Sequence, residues 1–158
     1  MSIKIEFRYA VLTSLAVLLW LIIEYAVGLQ DTYVALHPYV SIIMGALIPI
    51  ATYRLAFIEK IEDNFGKVTY WQLFFSGLLI TVFACILAIP VQLGFHKLIN
   101  PDFFETMILY TSVHSRQTIE QAAAYFNLKS YIGESVLFAF VTGSIVSLIL
   151  AFRMRTVK

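Results

Sequence analysis

The chain has 158 residues and a formal net charge of +1, with 60% hydrophobic and only 13% charged residues. Soluble domains carry about 25% charged residues, so this composition excludes a water-soluble globular protein. Its 11 Lys and Arg residues form no continuous basic stripe, which argues against nucleic acid as a partner. We expect one integral membrane domain over 1–158, because the apolar segments leave few residues for a second domain.

Four apolar segments occupy most of the chain, at 9–29, 39–58, 70–95 and 131–152. Each has about 20 residues or more, which is the length that an α-helix needs to cross the ~30 Å hydrocarbon core of a bilayer. The sequence therefore predicts an all-α fold, a four-helix transmembrane bundle. The first segment is too long for the apolar region of a signal peptide, so we expect it to remain as a helix.

Basic residues are distributed unequally between the two ends of these segments. Eight of the 11 lie at the end that holds both termini: Lys4, Arg8, Arg54, Lys60, Lys67, Arg153, Arg155 and Lys158. The positive-inside rule therefore predicts cytoplasmic N- and C-termini. Four arginines at this end are expected to contact lipid headgroups: Arg8, Arg54, Arg153 and Arg155.

Polar residues recur near the opposite, outer end of all four segments. They form a candidate outer-leaflet polar site: Glu24, His37, Gln92, His96 and Glu134. Ionisable residues inside spans are costly and are functional candidates by default. Their convergence would create a proton-binding or metal site. Alternatively, Glu134 is a helix-start acid and the histidines lie among lipid headgroups. The sequence does not determine whether Glu24 and Glu134 share a site.

The connections contain recognisable helix-capping signals. Thr69 and Gln72 have the spacing of a capping box before the third segment, and Gly66 upstream is suited to a left-handed turn. In the outer connection, 96–130, Asn100-Pro101-Asp102 predicts a helix start. Apolar residues at helical spacing on both sides of a polar break predict two short amphipathic helices there. They would cap the bundle or lie in the interface, or else form a lid or a docking surface.

The fourth segment carries a stripe of small residues four positions apart: Ser135, Ala139, Gly143, Ser147 and Ala151. Such a stripe lets another helix approach closely in lipid. We expect it to pack inside the bundle, with the third segment as a plausible partner, or else to form a homodimer contact. Val146 lies off this stripe and is expected to face lipid.

Signatures of enzymes and cofactor sites are absent from the sequence. It has no Gly-rich phosphate loop, no H-E-x-x-H pair and no G-x-S-x-G elbow. The single cysteine, Cys85, can form neither an internal disulfide nor a multi-cysteine metal site. We therefore expect no enzyme activity and no cofactor.

Three stretches resemble a known family of membrane proteins. They are Tyr53-Arg54, VTYWQLFFSG at 68–77 and INPDF at 99–103. Together with the four-span plan they resemble domain-of-unknown-function family 4199, found chiefly in Bacteroidetes. The resemblance implies a bacterial inner-membrane location. It assigns no activity, so no functional residue carries over, and Ser76 stands where the family often has a basic residue.

These observations favour a non-enzymatic structural or accessory subunit of the inner membrane, which packs through its small-residue stripe. Its partners would be membrane lipids and either a second copy of the chain or a larger membrane complex. The alternative is a small proton-coupled transporter or channel that uses the outer-leaflet carboxylates. Substrate, partner and biological process do not follow from the sequence.

Overall fold

The computed structural model describes residues 3–157 and is all-α, as predicted. Its helices are α1 (Lys4–Ala26), α2 (His37–Asp63), α3 (Tyr70–Gly94), α4 (Phe103–His114), α5 (Ile119–Tyr125) and α6 (Leu128–Met154). A π-helical segment, Phe95–Ile99, extends α3. The four helices α1, α2, α3 and α6 are long and apolar enough to cross a membrane, and the short helices α4 and α5 connect the last two of them. Lys158, which was counted in the charge pattern, lies outside the described residues.

The long helices extend beyond the apolar segments from which they were predicted. α1 begins at Lys4 and α2 continues to Asp63, so both include charged residues. These additional turns are stabilised because Glu6 of α1 pairs with Lys60 of α2 inside the bundle. At the other end, the π-helical segment continues the third helix as far as Ile99.

Helix α3 occupies a central position, since it packs extensively against α6 and also against α1. We call the end of the bundle that contains the start of α1, the end of α6 and the α2–α3 turn the inner end, and the opposite end the outer end. At the inner end, the Val68 carbonyl accepts hydrogen bonds from the backbone N–H groups of Thr156 and Val157. The segment after α6 is thereby attached to the α2–α3 turn.

The predicted capping signals are present, with one exception. Gly66 has a φ of 76°, and Thr69 and Gln72 form a capping box at the start of α3. The helix predicted to start at Asn100-Pro101-Asp102 is α4, which begins at Phe103. Its N-cap residue is Asp102, which makes no side-chain cap, and the Asn100 amide instead turns inward and donates to Gln30 Oε1 at 2.8 Å.

Small residues bring α3 and α6 close together in the inner half. A Cβ placed on Gly143 would lie 2.6 Å from Thr81 Oγ1 and 2.9 Å from the Tyr53 hydroxyl, so nothing larger than glycine fits. The Tyr53 hydroxyl is itself hydrogen-bonded to Thr81 at 2.9 Å, which joins α2 to this contact. Val146 was expected to face lipid, but it is buried in the core, because the contact surface of α6 is wider than the stripe.

Candidate functional site

A cavity of about 540 Å³ lies in the outer half of the bundle. All four long helices contribute to its wall, and Met107 of α4 and Tyr125 of α5 line it as well. Its deep end reaches Thr13 and Tyr53 near the middle of the bundle. The volume lies within the range of about 300–1,000 Å³ that small-molecule sites occupy.

Glu24 is the most enclosed polar residue of the cavity wall, with a fully buried side chain. Its carboxylate accepts a hydrogen bond from the Ser41 hydroxyl and another from Gln30 Nε2 at 3.3 Å. His37 Nδ1 lies 3.6 Å from the same carboxylate and 3.2 Å from Ser41 Oγ. Buried carboxylates need such donors, because an unpaired charge away from water is strongly unfavourable. α1 and α2 thus provide a Glu24–Ser41–His37 cluster.

The opposite wall of the cavity carries a second carboxylate and an amide. Glu134 of α6 is exposed and lines the same cavity as Glu24. Tyr125 of α5 lines the cavity as well, and the Glu134 carboxylate beside it raises the pKa of the Tyr125 phenol. Gln92 of α3 is buried and donates its amide N–H to Ser135 Oγ at 3.3 Å. Its Oε1 atom has no hydrogen-bond partner within residues 3–157.

His96 belongs to a neighbouring aromatic cluster and does not line the cavity. Its ring centroid lies 4.8 to 5.1 Å from those of four aromatic residues: Phe95, Phe103, Phe104 and Tyr131. Neither ring nitrogen has a hydrogen-bond partner among the described residues. Phe103 contacts both histidines, since its ring also lies 5.4 Å from His37. Four of the five predicted polar residues therefore line one cavity, and His96 packs against Tyr131, which also lines it.

The metal-site alternative is not supported by this arrangement. In the part of the chain that the structure describes, no group of three or more His, Cys, Asp or Glu side chains is arranged to hold a metal ion. The cavity instead presents carboxylates, an imidazole, hydroxyls and an amide, which can bind and exchange protons and form hydrogen bonds.

The small-residue stripe of α6 divides into two parts. Ser135 and Ala139 line the cavity, whereas Ser147 and Ala151 are fully buried and Gly143 contacts Thr81 of α3. The inner part of the stripe therefore lies against another helix of the same chain, and the outer part faces the cavity.

The four arginines proposed as lipid contacts, Arg8, Arg54, Arg153 and Arg155, are all exposed. Arg8 forms an ion pair with Glu59, and the Arg155 guanidinium lies 4.8 Å from the centre of the Phe152 ring. Exposed guanidinium groups at this end of the bundle remain available to anionic headgroups.

Sequence reasoning missed a buried polar cluster near the inner end. The Glu6 carboxylate accepts hydrogen bonds from Lys60 Nζ and from Ser76 Oγ, the latter at 2.7 Å, and thereby connects α1, α2 and α3. All three side chains are buried. A signal was available, because Glu6 precedes Glu24 by five whole turns, about 27 Å, and therefore lies on the same face of α1.

Comparison with known proteins identifies a family and no characterised relative. No curated protein and no solved structure matches the chain. A family model described as a protein of unknown function (DUF4199) matches residues 8–156. The chain is therefore a member of the DUF4199 family, with four candidate membrane spans.

Proposed function

We propose that this protein is a small proton-coupled carrier that binds its ligand in the outer cavity and exchanges a proton at Glu24. One observation carries this proposal. Glu24, a fully buried carboxylate, lines the same cavity as Glu134 and lies 3.6 Å from the His37 imidazole. A carboxylate in contact with an imidazole is suited to proton exchange, and ionisable groups inside spans commonly mark proton or substrate pathways.

The accessory-subunit interpretation has less geometric support. It relied on the small-residue stripe of α6 as an association surface, and the inner part of that stripe already packs against α3 within the chain. A homo-oligomer or a larger membrane complex would have to form through other faces of the bundle, and is compatible with a carrier. The proposed function requires no covalent chemistry.

We further propose a bacterial inner-membrane location with both termini in the cytoplasm. The charge distribution supports this orientation, since eight of the 11 Lys and Arg residues lie, along the sequence, in or beside the terminal segments and the connection between the second and third spans. A reporter fused after Lys158 should be cytoplasmic, and one inserted beside His114 should be periplasmic. Both reporters on one side of the membrane would refute this orientation.

Proton exchange at Glu24 can be tested directly by infrared difference spectroscopy. Protein reconstituted in lipid would be titrated across the neutral pH range, and the carbonyl band of a protonated carboxyl group would be followed. A reversible band that disappears in Glu24→Gln but persists in Glu62→Gln supports the proposal, because Glu62 is exposed at the inner end. A spectrum in which Glu24→Gln removes no pH-dependent band would contradict it.

A further inference from the structure

The cavity wall carries acidic side chains but no Lys or Arg side chain within the described residues. Glu24 and Glu134 both line the cavity, and within residues 3–157 no Lys or Arg side chain does. His37 also lines it, but its Nδ1 atom faces the Glu24 carboxylate and Ser41. A wall of this kind favours a cationic ligand, because complementary charge selects the partner and opposes the wrong one.

Hydrogen-bonding capacity points to the same ligand chemistry. Gln92 lines the cavity, and its buried Oε1 atom has no partner in the described part of the chain, although the amide N–H is bonded to Ser135. Carboxylate oxygens can likewise only accept hydrogen bonds when ionised. Among the described residues, the one buried polar atom of the cavity wall that lacks a partner is therefore an acceptor, and a ligand with N–H donors would satisfy it. A primary ammonium supplies three N–H donors and no acceptor.

The remaining wall is mainly apolar, and at α2 and α6 its residues also reach the outside of the bundle. Ile42 of α2 and Phe138 of α6 line the cavity and are also 56% and 40% exposed on the outside of the bundle. Between them, the Phe138 ring lies against Gly45, where a Cβ would come within 2.6 Å of Cε1. The three atoms nearest to that Cβ all belong to the Phe138 ring, so rotation of this ring would uncover the backbone of α2 at Gly45.

From these features we infer that the ligand is an amphiphile with a primary ammonium group on an aliphatic chain. The ammonium binds Glu24 and the free Gln92 oxygen, Glu134 attracts it at the rim, and the chain occupies the apolar wall. The ligand enters from the outer leaflet between Ile42 and Phe138. This inference rests on the proposed function, since it names the ligand class of the same cavity. The ammonium belongs either to a free alkylamine or to a phosphatidylethanolamine headgroup whose phosphate stays outside the acidic cavity, at the rim.

Binding of decylammonium to the full-length protein tests the inference. The protein would be held in phosphatidylcholine nanodiscs and studied by isothermal titration calorimetry, with decanol and decyltrimethylammonium as comparison probes. We expect saturable binding of decylammonium, weaker binding of decyltrimethylammonium, which lacks N–H donors, and no saturable binding of decanol. Glu24→Gln should weaken decylammonium binding by about tenfold or more, since a charge-assisted hydrogen bond is lost. Gln92→Leu and Glu134→Gln should weaken it less.

The exposed-site variant Glu62→Gln is the matched control and should bind decylammonium like the wild type. Equal binding of decanol, or unchanged binding in Glu24→Gln, Gln92→Leu and Glu134→Gln alike, would overturn the inference. Because Glu134 is exposed, its variant remains informative even if Glu24→Gln does not fold. If decylammonium does not bind but the wild type shows an infrared band that depends on Glu24, the ligand class alone is refuted. If the wild type shows no band that depends on Glu24, the carrier is refuted.

Nanodiscs that contain phosphatidylethanolamine distinguish the two sources of the ammonium. If the lipid headgroup is the natural occupant, adding this lipid should weaken apparent decylammonium binding to the wild type by competition. Unchanged decylammonium binding would mean that the natural ligand is a free alkylamine. Either result supports ammonium recognition, provided that the dependence on Glu24 holds.

Discussion

The inner and outer halves of the bundle are built from the same four helices but are packed differently. In the inner half, Glu6, Lys60 and Ser76 connect three helices, and Gly143 lies directly against Thr81. In the outer half, the helices enclose a cavity of about 540 Å³. The inner half therefore holds the bundle together, and the outer half provides space for a ligand.

This difference shows that one stripe of small residues can form a close helix contact in one part and line a cavity in another. Where Gly143 of α6 faces Thr81 and Tyr53, the small residue permits close contact. One turn further out, Ala139 lines the cavity together with Ala84 and Ala88 of α3. Around Ala139, small residues on both helices leave a volume unfilled, whereas at Gly143 the larger Thr81 and Tyr53 fill the space.

The largest expected effect concerns the buried ion pair of the inner half. Lys60→Met would leave the Glu6 carboxylate buried without its cationic partner. We expect the free energy of unfolding to fall by about 3–5 kcal/mol, as for other buried pairs that lose one member. Unfolding in mixed detergent micelles, followed by circular dichroism, would measure this change.

Arg8→Met is the matched control, because the Arg8 and Glu59 side chains are 62% and 34% exposed. Exposed pairs contribute at most about 1 kcal/mol, so this variant should remain close to the wild type. Similar losses in both variants would mean that Glu6 and Lys60 are solvated.

A somewhat smaller effect is expected for Gly143→Leu, which would force α3 and α6 apart. Overpacked sites cost about 1–3 kcal/mol, and we expect a loss of this size in the same unfolding measurement. Gly133→Leu on the same helix is the control, since a Cβ at Gly133 would have no neighbour within 4 Å. A bundle that tolerates both substitutions equally would not have the close inner contact described above.

The smallest effect on stability is expected for Ala139→Leu, one turn from Gly143. The added atoms would enter the cavity, so the free energy of unfolding should change by less than about 1 kcal/mol. Decylammonium binding should nevertheless be lost, because the side chain occupies the space of the aliphatic chain. A stability loss as large as that of Gly143→Leu would mean that the two halves are packed alike.

Features that depend on one segment were predictable from the sequence. Segment length and apolar content predicted the four long helices, and the Thr69–Gln72 spacing predicted a capping box that the structure contains. The candidate role of Glu24 also followed from local context, since apolar residues surround it within its span.

Features that depend on pairing between helices were not predictable in the same way. The contact of Glu6 with Lys60 joins residues far apart in the chain, and the sequence pattern indicated only that Lys60 is one of the basic residues at the end that holds both termini. The sequence indicated that His96 lies among lipid headgroups or belongs to the outer-leaflet polar site. It does not reveal the π-helical extension of α3, which places the His96 ring in the aromatic cluster. Whether small residues touch or leave a cavity likewise depends on the facing helix.

The measurement that tests the difference between the halves most directly is thiol labelling. Ser41→Cys in the cavity and Ser76→Cys in the inner half would each be made in a Cys85→Ser background and exposed to a water-soluble, cationic methanethiosulfonate reagent. The Ser41→Cys thiol should react readily in the folded protein, because that side chain lines the cavity and Glu134 at the cavity rim is exposed. The Ser76→Cys thiol should react only after unfolding, because Ser76 is fully buried. Equal protection of both thiols would contradict an open outer cavity, and equal reactivity would contradict a sealed inner half.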